Sequence, residues 1–115
     1  MVKDEQSAPL SAASLHVLLA LTARNLHGYG IIQEVKRLSD GKYRIGPGTL
    51  YDNLKKLINR GWVEDYEDDH LPAEERRRMY RLTGYGRAAL QADVNRLKKV
   101  LRVAARRLIR SGGDA

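Results

Sequence analysis

Between Thr49 and Asn59 the 115-residue chain carries polar side chains whose types and spacing suit contact with a nucleic acid. At about 100° per residue of helix, Asp52, Lys55, Lys56 and Asn59 fall on one side. Thr49 lies near that side and Tyr51 on its flank. Lysines neutralise phosphates, amide and hydroxyl groups read base edges, and a flanking tyrosine hydroxyl reaches the backbone where a helix enters a groove. Lysines on the outside of a surface helix are common by themselves, so the position of this helix in the chain has to carry the argument.

A second cluster follows. Seven of the fourteen acidic residues lie between Glu64 and Glu75, and Arg76, Arg77 and Arg78 come directly after them. Such a tip has two readings: the arginines meet phosphate or minor groove, or the acidic side chains fold back and neutralise them.

Catalytic and metal chemistry find little support. His16, His27 and His70 are scattered, with no serine or carboxylate beside one in an acid–base arrangement. Asp68, Asp69, His70 and Glu74 are close in sequence, but a solvated loop explains them better than a metal site. There is no cysteine, which excludes disulfides and thiolate sites and suits a reducing cytoplasm. No cofactor, catalytic residue or metal ligand is expected.

The elements that must hold these residues can be read from periodicity. Ser11 caps a first helix with Leu15, Leu18, Leu19 and Thr22 at near-helical spacing. Residues 24–28 form a connection, and a second helix follows with Ile31, Ile32, Val35 and Leu38 as its apolar stripe, ending at Asp40-Gly41. A third runs from Pro47 to about Arg60, with Leu50, Leu54, Leu57 and Ile58 inward and Gly61 at its end. Trp62–Tyr66 and Met79–Thr83 read as two strands of a hairpin with a long charged tip. A final helix begins around Gly86, runs to about Arg110 and stops at Ser111-Gly112-Gly113. Within it Leu90, Val94, Leu97, Leu101, Ala104 and Leu108 alternate at spacings of four and three, a heptad seam that predicts a dimer interface.

The fold class expected is mainly α with a small β-hairpin: a winged helix-turn-helix with a long C-terminal dimerisation helix. Its divisions are a disordered arm over 1–9, a DNA-binding unit over 10–84, the dimerisation helix over 85–111 and a flexible tail over 112–115. The formal net charge of +7 favours a polyanionic partner. The arm lacks the basic start and apolar centre of a secretory signal. No segment approaches the roughly 18 apolar residues of a membrane span, so a cytoplasmic protein without a membrane partner is expected.

The motifs in order resemble those of the PadR family of bacterial transcriptional regulators. They are Leu26-His27-Gly28-Tyr29-Gly30-Ile31, Gly48-Thr49-Leu50-Tyr51, Lys56-Leu57 through Arg60-Gly61-Trp62-Val63-Glu64, and Tyr80-Arg81-Leu82-Thr83 with Gly86. The resemblance spans about Leu15 to Gly86. It implies a homodimer held by the last helix, with each third helix in a major groove of a palindromic operator and Tyr51 on the DNA backbone. It implies a repressor, and for many members release by a small aromatic or drug-like ligand. Here the last helix, read from Gly86, has no aromatic residue and Trp62 is expected to pack the hairpin onto the core, so a small-molecule effector stays open and unidentified. The candidate DNA-contacting residues are Thr49, Tyr51, Asp52, Lys55, Lys56 and Asn59, with Arg76, Arg77 and Arg78 conditional. A different class of reading is a protein-binding adapter without specific DNA recognition, which the acidic tip and apolar seam would also suit.

Overall fold

The computed structural model describes residues 9–114, with side-chain surroundings as far as residue 109. Residues 1–8 of the expected arm and residue 115 of the expected tail lie outside that range. Four helices and three strands follow in the order α1 (Ala12–Ala20), β1 (Leu26–His27), α2 (Gly28–Leu38), α3 (Pro47–Asn59), β2 (Val63–Glu67), β3 (Arg78–Leu82) and α4 (Gly84–Asp114). A single 3-10 turn, Ala73–Glu75, shapes the tip between β2 and β3.

Each helix starts and stops for a local reason. The Ser11 hydroxyl accepts from the Ser14 amide at 3.1 Å and caps α1. Pro47 opens α3, where its missing N–H costs nothing, and Gly61 closes the helix with φ +76°. Between α2 and α3 the chain turns through Asp40 (φ 53°) and Gly41 (φ 75°). Thr83 opens α4: its hydroxyl accepts from the Gly86 amide at 3.0 Å while donating to the Gly61 carbonyl at 2.6 Å.

The inward faces make one core. Val17 and Leu18 of α1, Ile31 and Val35 of α2, and Leu50, Leu54 and Leu57 of α3 are buried together with Trp62, Val63 and Tyr80. Burying one such aliphatic side chain is worth about 1.5–3 kcal/mol. This cluster is the rigid block on which the exposed face of α3 rests.

The structure corrects several sequence expectations. The connection at residues 24–28 contains a strand: Leu26 and His27 pair antiparallel with Tyr80 and Met79 of β3, giving a three-stranded sheet in the order β1-β3-β2. Two residues are too few for a periodicity to show, and only the free edge of β3 selects them. The two hairpin strands lie one residue from the expected limits and pair from Val63 with Leu82 to Glu67 with Arg78. Helix α1 stops at Ala20, so Thr22 lies beyond its stripe, and Leu38 at the end of α2 is 44% exposed.

Helix α4 begins at Gly84 and continues to Asp114, through the Ser111-Gly112-Gly113 expected to stop it. Glycine weakens a helix by about 1 kcal/mol relative to alanine, which by itself does not end one. Leu90 is corrected as well. It is buried in the core of its own chain, with Val94 packed against that core, so this end of the seam is covered without a partner.

Candidate nucleic-acid interface

Helix α3 turns Leu50, Leu54 and Leu57 inward and leaves Thr49, Asp52, Lys55, Lys56 and Asn59 exposed. The Ser14 hydroxyl of α1 donates to Asn53 Oδ1 at 2.8 Å, so the helix is braced on that edge as well as by its apolar face. Lys56 shares a groove with Ser11, Ser14 and Asn53, which turns it toward α1. Tyr51 lies on the opposite edge of the exposed face, toward α2 and the sheet.

Tyr51 is 51% exposed. Its hydroxyl sits over Gly28, the first residue of α2, so closely that a Cβ on Gly28 would collide with it. Tyr80 of β3 is the next phenol: burial first, and the nearby Tyr51 second, push its pKa up. Absence of a side chain at Gly28 therefore lets the Tyr51 ring lie across the start of α2.

His27 precedes Gly28 and makes no side-chain cap to α2. Its Nε2 lies 3.3 Å from Nη1 of Arg77. Partial burial, and secondarily the Arg77 charge, hold the imidazole below its ordinary 6.5. At neutral pH the ring is neutral, and Nε2 can accept from the guanidinium. Arg77 is thus steered toward the start of α2, where His27 adjoins Gly28.

The other two wing arginines behave differently. Arg78 pairs with Asp65 at 2.9 Å, which is the fold-back reading realised for one residue. Arg76 donates to the Leu71 carbonyl at 3.1 Å and closes the tip on its own backbone. All three remain exposed. The hairpin is braced further in, where Asn25 donates to the Tyr66 hydroxyl at 2.9 Å and Arg81 lies 4.9 Å over the Tyr66 ring. Trp62 is buried with Arg60 5.0 Å over its ring, so its packing duty is as expected.

Sequence reasoning brought α3 and the wing together but missed what lies between them. His27 was a connection residue, and its contact with Arg77 spans 50 positions. Tyr29 on α2 is 64% exposed and borders a shallow depression with Gln33, Lys36 and Arg44. A signal existed, since 29, 33 and 36 repeat at helical spacing opposite Ile31 and Val35. Arg37 beside them is held by Glu34 at 2.7 Å, a bond that also holds the Glu34 carboxyl below its usual range.

Among the described residues, no group of three or more His, Cys, Asp or Glu is placed to hold a metal, and no helix is long and apolar enough to cross a membrane.

Comparison with known proteins adds a separate line. Residues 17–92 match the model of the Transcriptional regulator PadR-like family. The chain is 35% identical over 92 residues to Transcriptional regulator Rv3488 of Mycobacterium tuberculosis, covering 80% of this chain and 81% of that protein. Among solved structures it resembles a PadR family transcription regulator from Clostridium difficile, with TM-score 0.73 and 19% identity over 85% of this chain and 99% of that one. It also resembles Bacillus subtilis PadR in complex with operator DNA, with TM-score 0.63 and 24% identity over 72% of this chain and 46% of that one. The two structural likenesses carry the winged-helix fold.

Proposed function

The chain belongs to the PadR-like family of transcriptional regulators, and on that premise we propose that it is a sequence-specific repressor that binds a palindromic operator as a homodimer. The family is one of regulators, not enzymes. The observation that carries the proposal is the polar face of α3, rigidly backed by the core and flanked by the Tyr51 hydroxyl and the Arg77 guanidinium.

In this reading Asp52, Lys55 and Asn59 enter the major groove, where a carboxylate accepts from cytosine and an amide pairs with adenine. Tyr51 and Arg77 hold the phosphate strand at the α2 edge, and Thr49 and Lys56 face the strand along the other edge. Arg76 follows the wing toward the flanking backbone, and Arg78, already paired, contributes least. That a structural relative was solved in complex with operator DNA supports DNA as the partner.

Dimerisation rests on the distal half of α4. There Val100, Leu101 and Leu108 are exposed, Leu101 to 66%, on a helix that has left its own core. An apolar stripe of this kind on a projecting helix favours a second copy. Two copies present two α3 helices to two half-sites, which is what a palindrome requires.

Footprinting on the DNA upstream of its own gene tests the reading. Two protected half-sites, salt-sensitive affinity and loss of protection with Lys55→Ala are expected, together with higher reporter expression when the protein is absent. Equal affinity for that DNA and for random duplex would overturn specific repression.

A further inference from the structure

Three cationic side chains gather where α2 ends and the chain turns toward α3. Lys36 and Arg37 stand in the last turn of α2, and Arg44 follows the Asp40-Gly41 turn. All three line the shallow depression that Tyr29 and Gln33 border. Arg37 is already used: the Glu34 carboxylate accepts from its Nε at 2.9 Å and from its Nη2 at 2.7 Å. Lys36 and Arg44 are exposed and pair with no carboxylate among the described residues. Arg44 Nε donates to the Gly41 carbonyl at 3.3 Å, which ties the guanidinium to the turn. Asp40 is the one acidic residue lining the depression, so with Arg37 cancelled the balance there is still positive.

The other polar groups are of the same kind. Tyr29, Gln33 and Lys36 follow at spacings of four and three and form one ridge of hydrogen-bond donors. Position names the anion that such a ridge meets. Gly28 lies under the Tyr51 hydroxyl at the edge of the α3 face, and Tyr29 is the next residue. At the other end, Arg44 precedes Thr49 of the α3 face by five residues. From Tyr29 to Lys36 the helix rises about 10 Å. A DNA strand carries one phosphate per about 3.4 Å of duplex axis, so the ridge is long enough to meet more than one.

We propose that this depression is a second, sequence-blind contact with DNA. The strand that Tyr51 meets continues over Tyr29, and Lys36 and Arg44 hold its phosphates outside the bases that α3 reads. The proposal rests on the DNA-binding reading above and extends it to residues of α2 and the turn after it. Arg37 takes no part, because Glu34 already neutralises it, and Asp40 weakens the contact.

Fluorescence anisotropy on the full chain tests this, with two duplexes, the DNA upstream of its own gene and a random sequence, over a series of salt concentrations. Thermal melts check folding. Lys36→Gln and Arg44→Gln are each expected to weaken both duplexes by the same factor, about tenfold. Each should lower the salt slope by about two, since a homodimer loses two phosphate contacts at about 0.9 apiece. Tyr29→Phe should weaken both duplexes about fivefold and leave the slope unchanged, because a neutral donor displaces no counterion. Asp40→Asn, which suits the positive φ of that position, should tighten both. Lys99→Gln on α4, with the same change of charge, should stay within twofold of wild type. Lys36→Gln and Arg44→Gln both within twofold of wild type overturn the proposal, and so does a loss confined to the upstream DNA, which would be base reading. Calorimetric titration with inorganic phosphate supplies the other arm: saturable binding that Lys36→Gln abolishes while duplex affinity is unchanged makes this a small-anion site and also overturns it. A wild type without affinity for either duplex overturns the DNA-binding reading itself. A wild type that binds both equally overturns specific repression alone, and the backbone contact is then judged on either duplex.

Discussion

Gly28→Ala should impair DNA binding without harming the fold. The added methyl meets the Tyr51 hydroxyl, and what it meets is the far end of a half-exposed side chain rather than backbone. The ring therefore swings aside and the core stays as it is. Alanine in place of glycine at a helical position gains up to about 1 kcal/mol, so the melting temperature should hold or rise slightly. The loss falls on the hydroxyl's contact. A hydrogen bond to a charged group is worth about 1.5–3 kcal/mol, and a homodimer makes the contact twice. At about 1.4 kcal/mol per tenfold, the lower figure corresponds to roughly a hundredfold weaker operator binding. Fluorescence anisotropy on an operator duplex at one fixed salt concentration reads this directly. Tyr51→Phe, which deletes the hydroxyl and keeps the ring, should lose about as much, and the double variant little more. If Gly28→Ala binds within twofold of wild type while Tyr51→Phe fails, the displacement argument is wrong. If Gly28→Ala melts well below wild type, the side chain does not yield as argued.

Other outcomes follow from the same geometry. Gly86→Ala drives its Cβ into the Trp62 backbone carbonyl, whereas Gly84, in the same turn of α4, has open space around it. Overpacking of this kind costs about 1–3 kcal/mol, so Gly86→Ala should melt several degrees lower and Gly84→Ala no lower than wild type; equal melting points would contradict the clash. His27 is held below its ordinary 6.5, chiefly by burial, so the unfolded chain binds its proton first as pH falls. Stability should thus decline from about pH 6.5 downward through the lowered folded value, and His27→Gln should flatten that part of a melting-temperature profile. Leu101→Glu, at a position 66% exposed, should leave the fold intact and yield monomer by light scattering; a dimer of wild-type strength would move the interface elsewhere.

How much of this was legible in the sequence depends on the range of the interactions. The spacing of Leu50, Leu54 and Leu57 set the inward face of α3, and Pro47 and Gly61 set its ends, because those signals act within a few residues. The hairpin was legible for the same reason. The strand at Leu26-His27 was not, since it exists only as a partner of Met79 and Tyr80. Nor was the separation of the three arginines, which differ in what the folded chain brings to each: Asp65 to Arg78, the Leu71 carbonyl to Arg76, and His27 to Arg77. Tyr51 was placed on the flank of α3 by counting residues, yet only the bare backbone of Gly28 explains why its ring can lie across α2.

The heptad seam shows how one regular pattern can hold two jobs. Leu90 and Leu108 lie on the same seam, yet the first is 6% exposed and the second 71%. Periodicity records which side of a helix is apolar and is silent about what covers it. Coverage depends on where the helix leaves its domain, here just past Val94, the last described residue of α4 packed against the core. Asp93, buried among the described residues, stands at that boundary. At the junction it is anchored by its own chain through the Leu10 amide and Arg96, and its second oxygen is buried without a hydrogen-bond partner among the described residues.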